Sequence, residues 1–246
     1  MSCRVLMGLI ATATLSCSTG MADPTPRERP RQQTVVQRLL RIAGLTAAPS
    51  QLRGPDDAIK PGNLWISNLV DSSRAPLTTD GGYRSPVFAR DGAIYALKGT
   101  VIVRILRPSG GPVEVQKVEG VQKLVGFDDT GDDLFVLLES PRAGSPLGAV
   151  SLKTGTMVAV PFRADSDDER RMLAQMRGQE RVYGDTTVYT KAETKAGLSR
   201  TLAWTDVYVR MGARPTRNVS LCDGDRCTQP ALAPDGRVVV YVRSDE

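Results

Sequence analysis

The chain has 246 residues, 41% of them apolar and 24% charged, and its 32 lysines and arginines outweigh 27 acidic residues for a net charge of +5. That length supports one sizeable domain or two small ones, and the composition is that of a globular protein. There is no histidine, which excludes the usual general base, the commonest metal ligand and the ordinary pH switch.

Residues 1–22 read as a Sec signal peptide. Arg4 supplies the positive start, Val5 to Leu15 the apolar stretch, and Gly20-Met21-Ala22 the small residues before a cleavage after Ala22. The apolar run is far short of the ~20 residues that a spanning helix needs. Lipidation at Cys17 is the alternative, but Thr14-Leu15-Ser16 lacks the leucine expected three positions before such a cysteine. The expected location is therefore the periplasm or the exterior.

Residues 23–61 form a basic arm. Pro24, Pro26 and Pro30 alternate with Arg27, Arg29 and Arg31, so its opening should be extended. Val35, Val36, Leu39, Leu40 and Ile42 then place an apolar stripe on one face of a helix, with Arg38 and Arg41 off it. Residues 23–54 carry a net +4 and the signal +1, which leaves residues 55–246 neutral. The simplest expectation is that the helix packs on the body. The functional alternative is contact with an acidic partner or, peripherally, with an anionic membrane surface, and it makes Arg38 and Arg41 candidate partner-binding residues.

From residue 62 onward the chain reads as short strands cut by turns. Leu64, Ile66 and Leu69 form one apolar run, Val87 and Phe88 lead into Asp91-Gly92, and Ile94 to Leu97 and Val101 to Ile105 follow. Asp-Gly between β-prone runs is a strong hairpin signal, because glycine accepts a positive φ. The pattern returns loosely at Leu124 to Leu138, with Gly131 lying 39 residues after Gly92, and clearly at Pro230 to Val242 around Asp235-Gly236. Leu147 to Leu152 and Met157 to Val160 complete a four-strand unit, and a spacing of ~40–45 residues with four strands fits a propeller blade. Between these repeats, Ser166 to Glu169 forms a capping box, and Met172, Leu173 and Met176 give a short inserted helix that stops at Gly178. Gly184-Asp185 marks the turn of a degenerate third repeat, and Trp204 to Val209 echoes Leu64 to Leu69. The last strand lacks a following neighbour and the Leu64 run lacks a preceding one. Pairing of the two would close a ring within one chain, whereas an open ring would need a second copy.

Gly62-Asn63-Leu64-Trp65-Ile66, Pro76-Leu77-Thr78-Thr79, Ser85 to Tyr95 and Gln229 to Tyr241 resemble the TolB-type β-propeller repeat. The resemblance implies an all-β propeller of four or five four-stranded blades, with an N-terminal amphipathic helix and one short inserted helix. It assigns structural roles to Trp65, Pro86, Asp91, Gly92, Gly131, Trp204, Pro230, Asp235 and Gly236. A family fold of this kind implies no particular function.

Cys222 and Cys227 are the only cysteines after the signal. In an oxidising compartment they should form a disulfide that clips a hairpin turn, and too few further ligands surround them for a metal. Asp128, Asp129, Asp132 and Asp133 crowd one turn. They could hold a cation or serve as acid and base, but the repeat needs a turn there in any case. No serine has a histidine to activate it. A non-catalytic, exported interaction or scaffold protein is therefore expected, without cofactor or metal, binding an envelope or secreted protein through propeller loops or the arm. Met172 and Met176 join Arg38 and Arg41 as its candidate contacts. A carboxylate-based hydrolase or lyase, or a small-ligand sensor, is the alternative; a neutral body and export argue against nucleic acid.

Overall fold

The structure, a computed structural model, describes residues 59–106, 111–128, 130–162, 167–178, 180–197 and 201–245. The expected signal peptide and the arm helix with Arg38 and Arg41 lie outside these residues.

The strands run in chain order as follows. First come β1 (Asn63–Asn68) and β2 (Arg74–Pro76), then β3 (Tyr83–Phe88), β4 (Ile94–Lys98), β5 (Val101–Ile105) and β6 (Pro112–Lys117). Next are β7 (Val121–Phe127), β8 (Asp133–Arg142), β9 (Ser145–Ser151) and β10 (Met157–Ala159), followed by a helix, α1 (Asp167–Arg177). The chain continues through β11 (Arg181–Tyr183), β12 (Thr186–Ala196), β13 (Thr201–Met211) and β14 (Arg217–Asn218), and ends with β15 (Arg226–Leu232) and β16 (Val238–Ser244).

The fold is all-β apart from α1, and two of its sheets have four strands: β3-β4-β5-β6 and β7-β8-β9-β10. The third has eight, in the order β11-β12-β13-β15-β16-β1-β2 with β14 beside β13. Separate four-stranded sheets throughout were expected, and this is a departure. A single parallel pair, Thr205 of β13 with Arg226 of β15, joins the two runs into one sheet. On either side of that pair the sheet is antiparallel. The Leu64 run does lie antiparallel along the last strand, with Asn63 opposite Arg243 and Asn68 opposite Val238. Gly62 is needed where β1 enters this pairing, since a Cβ there would overlap the carbonyl oxygen of Arg243 and sit 2.8 Å from its carbon.

The Asp-Gly turns share one construction. Asp91 Oδ1 accepts from Ala93 N at 2.9 Å, and Asp235 Oδ1 from Arg237 N at 2.9 Å. Gly92, Gly131 and Gly236 have φ of 81°, 81° and 70°, the left-handed region that glycine enters without a Cβ clash. In the turn between β7 and β8 the acceptor moves upstream to Asp128, whose Oδ1 takes Gly131 N at 2.8 Å and Asp133 N at 3.2 Å.

Many strands, such as β7, β8 and β15, are buried along most of their length because their sheets pack on neighbours through both faces. One cluster joins β3–β5 to the terminal strands through Tyr83, Ile94, Val103, Leu64 and Val240. A second joins β4 and β5 to β7 and β8 through Leu97, Ile102, Leu124 and Leu134, with Tyr95 edge-on to Phe127 at 5.0 Å between centroids. A third seats α1 on β7–β9 through Met176, Val125, Phe135 and Leu147. At the end of α1, the buried Lys123 of β7 donates its Nζ to the carbonyls of Gly178 at 2.5 Å and Arg177 at 3.4 Å. A cation at that position suits both the unpaired carbonyls and the negative end of the helix dipole.

Cys222 and Cys227 form the expected disulfide, with both residues buried. It does not clip a hairpin turn. Cys222 lies in the loop after β14 and Cys227 in β15, so the bond closes a tight loop that feeds β15. Asp225 in that loop binds Arg243 of β16 through Nε at 2.6 Å and Nη2 at 2.5 Å, and the Arg243 guanidinium lies over Trp65 at 4.8 Å. Cys222→Ser paired with Cys227→Ser should cost about 2 kcal/mol, the small loss of a short covalent loop. Urea unfolding of oxidised wild type against the variant measures it.

Candidate functional site

Four strands that each begin an antiparallel run line one cavity of about 230 Å³. Pro86, Val87 and Phe88 come from β3, Val125 to Phe127 from β7, Arg181 and Tyr183 from β11, and Ala231 and Leu232 from β15. Arg90, Asp128 and Pro234 stand at the turns that leave these strands. An outer cleft of about 550 Å³ between the β11–β12 and β15–β16 turns shares Tyr183, Leu232 and Pro234 with this cavity.

The backbone is unusual on two sides of the cavity. Ser85 and Gln229, each followed by proline, have φ of 52° and 55°. Both sit where pairing slips by a residue: β3 against β4 between Arg84 and Val87, and β15 against β16 between Thr228 and Ala231. Such a φ costs a non-glycine residue of order 1–3 kcal/mol and persists only where the surroundings fix it. Here the two residues fix each other. Ser85 N donates to Gln229 Oε1 at 2.6 Å, while Gln229 Nε2 donates to the carbonyl of Lys60 at 2.9 Å. The bulges turn Pro86 and Ala231 toward the cavity edge and give its wall a fixed shape.

The polar groups around the apolar lining are already engaged. Burial alone would raise the Asp128 carboxyl, but the Thr130 hydroxyl and the amides of Asp133 and Gly131 outweigh it and hold its pKa below the ordinary value. Asp132 pairs with Lys153 at 2.8 Å, on the outer side of the same turn. Among the described residues, which omit Asp129, no cluster of three or more acidic or cysteine side chains is arranged for a metal. Arg181 is buried and donates to the carbonyls of Glu180 at 3.0 Å and Gly178 at 3.4 Å. Burial lowers its pKa, although a guanidinium remains charged at any ordinary pH.

The structure scatters the residues singled out from sequence. Pro86 lines the cavity, and Pro230 is buried in β15 beside Ala231. Asp91, Gly92, Gly131, Asp235 and Gly236 build the turns. Trp65 is half-buried under Arg243, and Trp204 donates Nε1 to Asp206 at 2.9 Å, so neither tryptophan meets the cavity. Met176 is fully buried in the α1 seat and presents nothing to a partner, which corrects its reading as a contact residue. An apolar i, i+4 spacing marks the inward face of a helix as readily as a docking face. Met172 belongs to the same helix. Sequence reasoning overlooked Ser85, Gln229 and Arg181. The available signal was a polar residue before proline in both matched repeats.

No family model matches the chain, and no curated protein matches it. Among solved structures, it is similar to a protein provisionally assigned as TolB from Agrobacterium tumefaciens, at 13% identity and a TM-score of 0.34 over 75% of this chain and 62% of that one. It is also similar to apo AtxE2 isopeptidase, at 12% identity and a TM-score of 0.24 over 82% of this chain and 42% of that one. The chain thus spans less than two thirds of the length of either. Likenesses this shallow carry no functional information.

Proposed function

We propose that the chain is an exported, TolB-like propeller of four blades that binds a protein partner in its axial cavity and performs no chemistry. The observation that carries this reading is the cavity wall: β3, β7, β11 and β15 each supply residues to it. Each of these strands opens an antiparallel run of four, as the innermost strand of a blade does. The pairing of β1 with β16 supports closure of the ring within one chain. Export is supported by the signal-like residues 1–22 and by the buried disulfide, a bond of oxidising compartments.

Binding is favoured over catalysis because the carboxylate nearest the cavity, Asp128, is committed to its own turn. The cavity volume is below the ~300–1,000 Å³ of common small-molecule sites and suits one or two side chains of an extended segment. Its apolar wall would take the apolar part of such a segment.

Site-specific photocrosslinking in the native cell envelope tests the proposal. A benzophenone residue at Phe88, on the cavity wall, should give a discrete protein adduct. The same residue at Val113, exposed on β6, should give none. Equal labelling at both positions, or none at Phe88 in a folded protein, would reject the cavity as the binding site.

A further inference from the structure

A second cleft, of about 60 Å³, lies away from the axial cavity and shares no lining residue with it. Its walls are Ser67, Asn68, Ser72, Arg74, Arg217, Asn218, Val219 and Leu221. Two arginines therefore face one small space, one from β2 and one from β14.

Each guanidinium is anchored across the gap by a single bond. Arg74 Nη1 donates to the carbonyl of Ser220 at 3.1 Å, and Arg217 Nη2 donates to the carbonyl of Leu69 at 2.8 Å. Arg74 thus reaches from β2 to the loop after β14, and Arg217 from β14 to the loop after β1. Among the described residues neither guanidinium meets a carboxylate. The nearby acid of the β1–β2 loop, Asp71, turns back on that loop: its Oδ2 accepts from Asn68 Nδ2 at 3.0 Å and its Oδ1 from Ser73 N at 2.8 Å. The other polar walls are also spent. Ser67 Oγ donates to the carbonyl of Val219 at 2.7 Å, and Asn218 Nδ2 donates to Asp206 at 2.9 Å. What remains toward the cleft is the unused N–H groups of two arginines, with the Ser72 hydroxyl at its edge.

A guanidinium has five N–H donors in a plane, so one carbonyl contact fixes its direction and leaves a fork for two oxygens. Two forks fixed in this way on opposite walls form a preorganised anion receptor. The cleft has room for a few waters, or for one compact group of a few heavy atoms. The geometry points to a binding site for one phosphate-sized oxyanion, held between Arg74 and Arg217. Such an anion would bridge β2 to β14, the two strands that end the antiparallel halves of the long sheet. Free phosphate and the phosphate of a lipid headgroup share this chemistry.

The test titrates sodium phosphate into the full mature chain, at constant ionic strength in chloride, by calorimetry and thermal melting. Wild type should bind saturably and melt higher. Arg74→Gln with Arg217→Gln should lose at least tenfold in affinity. Because those arginines also tie loops together, Ser72→Asp provides a second variant. It keeps both arginines, places a carboxylate at the cleft, and should abolish the phosphate response while retaining the wild-type far-UV spectrum; aspartate tolerates the φ of 63° at this position. Flotation with phosphatidylcholine vesicles, with and without phosphatidylglycerol, separates the two sources. Binding only to the anionic vesicles, lost in both variants, would assign the site to a headgroup. A wild type that binds neither probe, or variants that bind as wild type does, would overturn the inference.

Discussion

Ile66→Pro should abolish folding. Ile66 is central in β1, opposite Val240 of β16 on one side and Ala75 of β2 on the other. Whichever neighbour its amide serves, proline removes that ladder bond and adds a ring that an interior strand does not accommodate. The direct cost is about 3 kcal/mol or more, and the position magnifies it. β1 is the first strand of the described chain, yet it completes the sheet of the last, so its loss also exposes the edge of β16 and uncovers Leu64, Tyr83 and Val240 in one core cluster. A domain whose whole stability is ~5–15 kcal/mol has little margin for that. Far-UV circular dichroism and urea titration of Ile66→Pro should show an unfolded or aggregated chain, with Ile66→Val within about 1.5 kcal/mol of wild type. A permutant offers the converse. The end of β16 lies beside the start of β1, so joining Asp245 to Gly62 by a short loop and opening the chain between β2 and β3 should leave the protein folded. A folded Ile66→Pro variant with an unchanged urea midpoint would mean that the terminal pairing contributes little.

The pairing of β1 with β16 was legible in the sequence because it depends on local signals. Leu64 to Leu69 and Trp204 to Val209 open the same repeat unit, so once the repeat is seen the strand after Asp235-Gly236 calls for a neighbour of the Leu64 type. The Asp-Gly turns were legible for the same reason, since residue type fixes the φ of Gly92 and Gly236. What the sequence concealed is held by contacts across long separations. Ser85 and Gln229 are 144 residues apart; a polar residue before proline is all the sequence shows of either, and the hydrogen bond between them is not legible there. The joining of two runs into one sheet was equally hidden, because it rests on a single parallel pair, Thr205 with Arg226, that no local pattern announces. Met176 misled in the opposite direction: its spacing is that of an apolar helix face, and the sequence does not say which body that face meets. Of the candidate cavity, Pro86 was in view from the start, whereas Arg181 and Tyr183 came from the least recognisable repeat.

Asp206→Asn should cost ~3 kcal/mol and should weaken the response of the protein to acid. Asp206 is buried in β13 and gathers four donors. Oδ1 takes Cys222 N at 2.7 Å and Ser220 Oγ at 2.8 Å, while Oδ2 takes Trp204 Nε1 and Asn218 Nδ2, each at 2.9 Å. This carboxylate is what holds the disulfide loop and β14 against β13. An asparagine keeps the shape but removes the charge and turns one acceptor into a donor facing donors, and each buried group so orphaned costs ~1–3 kcal/mol. Burial by itself would raise the Asp206 pKa; the Cys222 amide, then Ser220, Trp204 and Asn218, reverse that and hold it below the ordinary carboxylate value. A depressed folded-state pKa means stability that is present above the unfolded value of ~3.9 and lost as pH falls through the folded one. Wild type should therefore weaken steeply below about pH 4. The variant should start less stable and show a shallower slope in that range, because Asp71, Asp80, Asp128 and Glu193, whose pKa values are also lowered, still titrate. Urea midpoints measured from pH 7 down to pH 3 on both proteins decide it. Parallel curves would show that the Asp206 charge is not what the network requires, and that its shape alone seats the loop.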